Sequence, residues 1–375
     1  MLLMGKLMMT AAKWKMTISV MVGLIIVLLL LCACQKENEN SITPTQSTHI
    51  NSQLILTDNV WEDGVSLNTS CYYVDSTRML LALNREERKS VGSGDIKYET
   101  EQLITYNTVE NQVEHIIPLY NNSPVNSAII HQGKVIYVSY KPKNNKIKWH
   151  IIERMDSQEH KIAEGYCESG YDLPALALCG EKPIVLWKDI TNNRSGFSVV
   201  QENSLRDIFS AEYDWIVDTN MSTNGKEFCF PIYDSKRSKL AIADISGILE
   251  KVELDGKITS FAITKDNLLC GLGDYGETDK FHLLNYNFRT GDVKSKSVNE
   301  AIYRLQGSDS DYALYVNYQF RIFQINAKKG NEKELYPPVG YYNKPVFFQT
   351  GSANFVIAEF LVDNKHEYYK ISISE

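Results

Sequence analysis

Aromatic residues stand beside carboxylate or amide side chains at several points of this 375-residue chain. An aromatic ring offers an apolar face and a neighbouring carboxylate accepts directional hydrogen bonds, a combination that suits sugar rings and protein interfaces. The chain has 22 tyrosines, and strands favour aromatic residues, so composition alone is an alternative explanation. The residues that form this candidate ligand rim are Tyr171, Asp172, Trp187, Tyr213, Asp214, Trp215, Tyr233, Asp274, Tyr275, Tyr341 and Tyr342.

Patterns for catalysis and metal binding are weak by comparison. The seven histidines stand singly, without HxH or HExxH spacing, and no CxxC pair occurs. A glycosidase-like pair of carboxylates, such as Asp172 and Asp214, would have to meet within about 5–10 Å. The sequence therefore predicts no cofactor and no metal, and it keeps a surface polysaccharide hydrolase or lyase as the alternative function.

Five cysteines lie beyond residue 51, and an odd number cannot form a complete set of intrachain disulfides. Cys71, Cys229 and Cys270 fall in apolar, strand-like runs, which predicts that they are small buried hydrophobic residues. A disulfide between Cys167 and Cys179 stays open as an alternative.

The elements that must position these side chains follow a regular rhythm from residue 52 onward. Short runs rich in β-branched and aromatic residues alternate with Gly, Asn, Asp and Lys turns, which is typical of strands. They group in fours with a period of about 40–50 residues, as in the blades of a propeller. The fourth group is predicted to begin with a strand over 215–221. The seventh has only three strands, at 344–350, 354–362 and 367–373.

We therefore predict an all-β chain in which residues 52–375 form one β-propeller domain of seven four-stranded blades. An apolar run at residues 52–58 would supply the missing strand of the seventh blade and close the ring, removing two exposed sheet edges. Loops that enter the first strand and leave the second strand of each blade share one face, and the rim residues fall in these loops. Six or eight blades and a pair of β-sandwiches are the alternatives.

The first residues of the chain differ from the rest in charge and hydropathy. Lys6, Lys13 and Lys15 precede an almost wholly apolar run over 18–31, and no acidic residue occurs before residue 34. A basic segment followed by an apolar run shorter than a membrane-spanning helix is the form of a secretory signal. Residues 35–51 have few apolar side chains, which predicts a flexible tether.

The sequence Leu31-Cys32-Ala33-Cys34 resembles the lipobox of bacterial lipoproteins, although Cys32 departs from the small residue usual at that place. The resemblance implies cleavage after residue 33, so that 1–33 is a signal peptide, and a diacylglycerol on Cys34, with 34–51 as lipidated tether. The alternative is an uncleaved N-terminal anchor. Either reading places the domain on the extracytoplasmic face of the cell membrane.

Composition limits the partners. The net charge is -7 and the isoelectric point about 5.6, which argues against nucleic acid, since phosphate binding needs a basic face. We therefore predict a binding or scaffold lipoprotein, held to the membrane by its lipid, with an envelope glycan or a protein as its partner.

Overall fold

The computed structural model describes residues 52–58, 60–62, 65–88, 96–119, 123–155, 158–234, 237–273, 280–336, 346–348, 355–363 and 365–372. The predicted signal peptide, Cys34 and the tether lie outside the described residues, as do four rim residues, Asp274, Tyr275, Tyr341 and Tyr342. Among the described residues, no helix has the length and apolar character needed to cross a bilayer.

Strands account for nearly all regular structure in these residues. Two 3-10 turns, Gly170–Asp172 and Tyr213–Trp215, are the described exceptions. The strands are β1 Ser52–Asp58, β2 Val60–Glu62, β3 Val65–Val74, β4 Arg78–Arg88, β5 Ile96–Asn107, β6 Gln112–Pro118, β7 Val125–His131, β8 Lys134–Lys143, β9 Lys146–Met155, β10 Gln158–Cys167, β11 Ala175–Cys179, β12 Lys182–Asp189, β13 Arg194–Gln201, β14 Ser204–Glu212, β15 Ser222–Thr223, β16 Phe228–Asp234, β17 Arg237–Asp244, β18 Gly247–Glu253, β19 Lys257–Ile263, β20 Asn267–Gly273, β21 Phe281–Asn287, β22 Val293–Val298, β23 Ile302–Gln306, β24 Tyr312–Asn317, β25 Ile322–Asn326, β26 Glu332–Leu335, β27 Val346–Phe348, β28 Phe355–Val362 and β29 Lys365–Ser372.

These strands pair into seven antiparallel sheets that follow chain order. Sheet 1 holds β2–β6, sheets 2 to 6 hold β7–β10, β11–β14, β15–β18, β19–β22 and β23–β26, and sheet 7 holds β27–β29 with β1 paired to β29. The innermost strands β3, β7, β11, β15, β19, β23 and β27 contact one another in that order, and β27 contacts β3. This is the arrangement of a β-propeller with seven blades. Sheet 1 has a fifth strand, β2, beyond the predicted four.

Burial within each sheet changes from the centre outward. Strand β20, second in sheet 5, is buried along its whole length, whereas the outermost strand β22 is exposed almost throughout. The difference follows from position, because both faces of a central strand pack against neighbouring sheets while the outermost strand meets water. The near-continuous apolar run of β20 (Asn-Leu-Leu-Cys-Gly-Leu-Gly) matches this demand.

Apolar side chains fill the space between adjacent sheets. Between sheets 3 and 4, Phe197 lies edge-on to Phe228, with ring centroids 5.1 Å apart. Between sheets 7 and 1, the fully buried ring of Tyr368 packs with Met79 and Ile357. The Tyr368 hydroxyl donates to the carbonyl of Thr69 at 2.9 Å, so a hydrogen bond also joins these two sheets.

A serine hydroxyl on one inner strand repeatedly accepts a hydrogen bond from a backbone N–H of the next inner strand. The pairs are Ser127 Oγ with Leu176 N at 3.0 Å, Ser222 Oγ with Ile263 N at 3.2 Å, and Ser260 Oγ with Leu305 N at 2.8 Å. Inner strands of adjacent blades do not share a ladder, so these side chains satisfy N–H groups that would otherwise lack a partner.

The inner strand of sheet 4 is much shorter than predicted: the expected strand over 215–221 is reduced to Ser222–Thr223 and one bridge at Ile216. Pro231 on the neighbouring strand β16 has no N–H to offer to this stretch. The N–H and hydroxyl of Thr219 turn instead toward a backbone carbonyl in a loop of sheet 3. The prediction of a strand over 215–221 is therefore wrong, and a 3-10 turn over Tyr213–Trp215 occupies its beginning.

All five cysteines of the described domain are buried and free, so the alternative of a Cys167–Cys179 disulfide is wrong for this structure. Burial raises the pKa of both of these thiols to about 12. At neutral pH they are therefore protonated and poor nucleophiles.

Candidate functional site

An ion pair is buried on the face of the propeller where loops enter the first strands, here called the entry face. Lys188, near the end of β12, places its Nζ 2.7 Å from Asp172 Oδ1, and only 5% and 10% of the two side chains are exposed. Ser169 Oγ and the Tyr213 hydroxyl donate to Asp172 Oδ2 at 2.9 and 3.2 Å. These four residues form the Asp172 cluster, in which three separate segments meet on one carboxylate.

Further contacts satisfy the other groups of the Asp172 cluster. Lys188 Nζ lies 4.4 Å from the centre of the Tyr213 ring and donates to the carbonyl of Val217 at 3.3 Å. Burial raises the pKa of Tyr213 above its ordinary value, and the charge of Asp172 adds to the effect. Tyr213 therefore stays a neutral hydrogen-bond donor, and the cluster is arranged to hold loops together.

The loop above this cluster presents an aromatic side chain to solvent. Tyr171 is 83% exposed although its neighbour Asp172 is buried. Its backbone carbonyl accepts hydrogen bonds from the N–H and the hydroxyl of Thr219, each at 3.0 Å. Val217, on that second loop, is also exposed. Two loops from adjacent sheets thus carry exposed apolar side chains. Hydrogen bonds between the loops and the Asp172 cluster beneath them hold their backbones in place.

Of the other described rim residues, some are buried and support the loops, and others are exposed to solvent. Trp187 is buried, and its Nε1 donates to Ser198 Oγ at 2.8 Å. Trp215 is partly buried against Phe209, with ring centroids 4.7 Å apart. Asp214 is exposed, and Tyr233 is 48% exposed. Tyr233 therefore joins Tyr171 as an accessible ring, while Asp172, Trp187 and Tyr213 support the loops.

Asp172, one member of the predicted carboxylate pair, is already engaged by neighbouring side chains. Asp172 is occupied by Lys188, and its oxygens already accept from Ser169 and Tyr213. Burial raises the pKa of Asp218, while the nearby charge of Lys188 lowers it and that of Asp172 raises it. Across the described ranges, no three His, Cys, Asp or Glu side chains come together as a metal site would require.

A cavity of about 560 Å³ lies among the inner strands. Its lining comes from β3, β7, β11, β15, β23 and the loop before β15, and it includes Tyr73, Asn126, Ser127, Ala177, Asn220 and Arg304. The volume falls in the range of about 300–1,000 Å³ that small-molecule sites occupy. Sequence analysis did not single out any of these residues, because an inner strand can be recognised from its pattern but the space between inner strands cannot.

Arg304 is the cationic residue in this lining. It alternates along β23 with Leu305, which packs into the core between sheets 5 and 6, so that Arg304 and Gln306 face the cavity. Arg304 makes no hydrogen bond or ion pair with any other described residue, although Glu359 of sheet 7 attracts it electrostatically. Burial lowers its pKa from the ordinary value, yet a guanidinium remains charged in proteins.

Comparison with known proteins identifies the fold and no family. No protein-family model matches the chain, and no curated protein sequence matches it. The structure is similar to the β-propeller domain of the Trilobed protease from Pyrococcus furiosus, with a TM-score of 0.54 at 9% identity over 82% of this chain and 96% of that one. Sqt1 of Saccharomyces cerevisiae and BamB from Moraxella catarrhalis each give a TM-score of 0.44 at 10% identity, covering 86% of this chain and 97% and 99% of theirs. The first of these similarities supports the propeller architecture.

Proposed function

We propose that this chain is a lipid-anchored, extracytoplasmic propeller that binds a partner protein through its entry face. The observation that carries the proposal is the exposure of Tyr171 on a loop that the Asp172 cluster holds from beneath. A tyrosine ring offers contact area at low cost in conformational entropy, and interface anchors are often aromatic. A loop that is already fixed loses little further freedom on binding.

The anchor rests on the sequence at the N-terminus. Leu31-Cys32-Ala33-Cys34 follows a basic segment and an apolar run, and two acyl chains on Cys34 would hold the domain stably at a membrane. The polar tether over 35–51 would let the entry face turn toward a partner. Because the proposed lipid is attached at Cys34, ahead of the propeller domain in the sequence, anchoring and binding would use separate parts of the chain.

We also propose that β1 closes the propeller ring. Its pairing with β29 gives sheet 7 a fourth strand, and the Tyr368–Thr69 hydrogen bond joins sheets 7 and 1. The Pyrococcus propeller domain, by contrast, has an open velcro topology. A closed ring would resist separation of its first and last blades, which suits a scaffold that must keep loops from several blades in register.

An envelope glycan is the second candidate for the entry face, because the exposed rings of Tyr171 and Tyr233 could stack on sugars. The two exposed tyrosines do not distinguish the candidates by themselves. A polysaccharide hydrolase or lyase has weaker support, since Asp172 of the predicted carboxylate pair is bound to Lys188.

Photo-crosslinking in the native envelope tests the proposal. A benzophenone amino acid placed at position 171 should give a discrete protein adduct, and one placed at Val293 should not. Val293 is also highly exposed but lies on the outermost strand β22. Tyr171→Ser should reduce partner recovery at an unchanged midpoint of urea unfolding, because the side chain makes little contact with the domain.

Equal adducts from both positions, or none from position 171, would contradict a protein partner at this face. Adducts that shift after glycosidase treatment and disappear with polysaccharide removal would assign the face to a glycan instead.

A further inference from the structure

We infer that the central cavity binds a small ligand through a carboxylate group, which Arg304 holds. The inference goes beyond the proposed protein-binding face, because it concerns the interior of the ring and a different class of ligand. It depends on the cavity, on a charge in its lining that no other described residue pairs with, and on the donors that surround it.

The cavity has room for a ligand of several non-hydrogen atoms. Its volume is about 560 Å³, and the short side chains of Ala175 and Ala177 on β11 leave space that larger residues would fill. Lining residues extend from Asn220, in the loop before β15, to Asp75 at the far end of β3. The cavity therefore follows the inner strands along much of their length.

The charges in the lining are not balanced. Asp75 is occupied: its carboxylate accepts from the N–H groups of Thr77 and Arg78 at 2.9 and 2.7 Å and forms an ion pair with the Arg78 guanidinium. Arg304 has no such partner among the described residues. Glu359 attracts it without an ion pair, and that carboxylate is hydrogen-bonded to Nδ1 of His366. A cation is thus left to face the cavity.

Neutral donors in the same lining add to this charge. Ser127 Oγ accepts the N–H of Leu176, so its own hydrogen remains to be donated. The side-chain amide of Asn220 has no partner among the described residues and is exposed. A carboxylate accepts hydrogen bonds through two oxygens, and a guanidinium matches it with two parallel N–H groups.

The free energy of the site favours an anion. Enclosing a guanidinium without a partner costs free energy, since it loses hydration and gains no compensating charge. A bound carboxylate would replace the lost hydration with charge-assisted hydrogen bonds. A phosphate would also bring charge, but the single described cation matches one negative charge better than two.

Titration calorimetry on the full chain in detergent tests the inference with two matched pairs of probes. One pair is galacturonate and galactose, and the other is N-acetyl-dialanine and its C-terminal amide. In at least one pair, the carboxylate should bind about tenfold tighter than its neutral counterpart. A preference for galacturonate would assign the carboxylate to an acidic sugar, and a preference for the free peptide would assign it to a peptide terminus.

Variants identify the residue responsible. Arg304→Gln should remove the preference for the carboxylate, and Arg304→Lys should keep part of it, because lysine retains the charge but not the planar fork. Arg206→Gln, an exposed arginine on the outer strand β14, should bind as the unchanged protein does. Urea midpoints no lower than that of the unchanged protein would show that each variant is folded.

The inference is overturned if neutral and charged probes bind equally, if no carboxylate binds at millimolar concentration, or if Arg304→Gln retains the preference. Tyr171→Ser should bind the probes normally. Loss of protein binding in that variant together with intact carboxylate binding would separate the two proposals.

Discussion

Lys188 and Arg304 are both cations enclosed within the propeller, and their surroundings are opposite. Lys188 pairs with Asp172, donates to a backbone carbonyl and lies over the Tyr213 ring. Arg304 faces a cavity and has no partner among the described residues. The first charge is satisfied by the fold, so it serves the fold. The second has no such partner in the part of the chain that the structure describes, and a group kept available in this way for the proposed ligand would be held at the expense of the protein's own stability.

The largest expected effect is at Lys188. Lys188→Met should lower the free energy of unfolding by about 3–5 kcal/mol, because it leaves the buried charge of Asp172 without a partner. Urea unfolding followed by tryptophan fluorescence measures the loss. The double variant Lys188→Met with Asp172→Asn should regain part of it, since no charge is then left buried. A single variant less than about 1 kcal/mol below the unchanged protein would mean that the pair does not hold the loops.

Arg304→Met should change the stability far less, by no more than about 1 kcal/mol and in the stabilising direction if the cavity stays intact. The substitution removes an enclosed cation that no described residue pairs with, so the folded state gains from the loss of its desolvation cost. The same urea measurement applies. A loss comparable to that of Lys188→Met would contradict the comparison, since it would show that Arg304 supports the structure.

The smallest effect is expected at Asp218, beside the Asp172 cluster. Burial raises its pKa in the folded state, so ionisation costs stability above that pKa, and the cost vanishes below the unfolded value of about 3.9. Asp218→Asn should therefore raise the urea midpoint slightly at pH 7 and not at pH 3.5. The amide oxygen can still accept the N–H of Asn220, as the carboxylate does. A gain of equal size at both pH values would exclude ionisation as its cause.

The blades could be predicted because strand patterning is local. Residues close together in the sequence show the alternation of side chains, the turns and the grouping of strands in fours. The seven sheets follow that pattern. The short inner strand of sheet 4 was missed for the opposite reason. The N–H groups of Thr219 and Val217 donate to the carbonyls of Tyr171 and Pro231, respectively. These partners are distant in the sequence, so a pattern of neighbouring residues cannot reveal them.

The candidate sites were less predictable than the fold. Tyr171 and Asp172 are neighbours in the sequence, yet one is exposed and the other buried. That outcome depends on Lys188 and Tyr213, which come from other segments of the chain. Arg304 carried one usable signal, a charge within an otherwise strand-like run at an inner-strand position. Its lack of a partner appears only when the strands are assembled.

The hydrogen bond between Tyr368 and Thr69 joins residues 299 positions apart. The N-terminal blades are made first, but the Thr69 carbonyl and strand β1 must wait for β29 before their native partners exist. Such distant pairing slows folding, since the entropy of closing a very long loop is lost before the contact forms. A chain cut short before β29 would therefore leave strand β1 without its partner and keep an open edge available to chaperones and proteases.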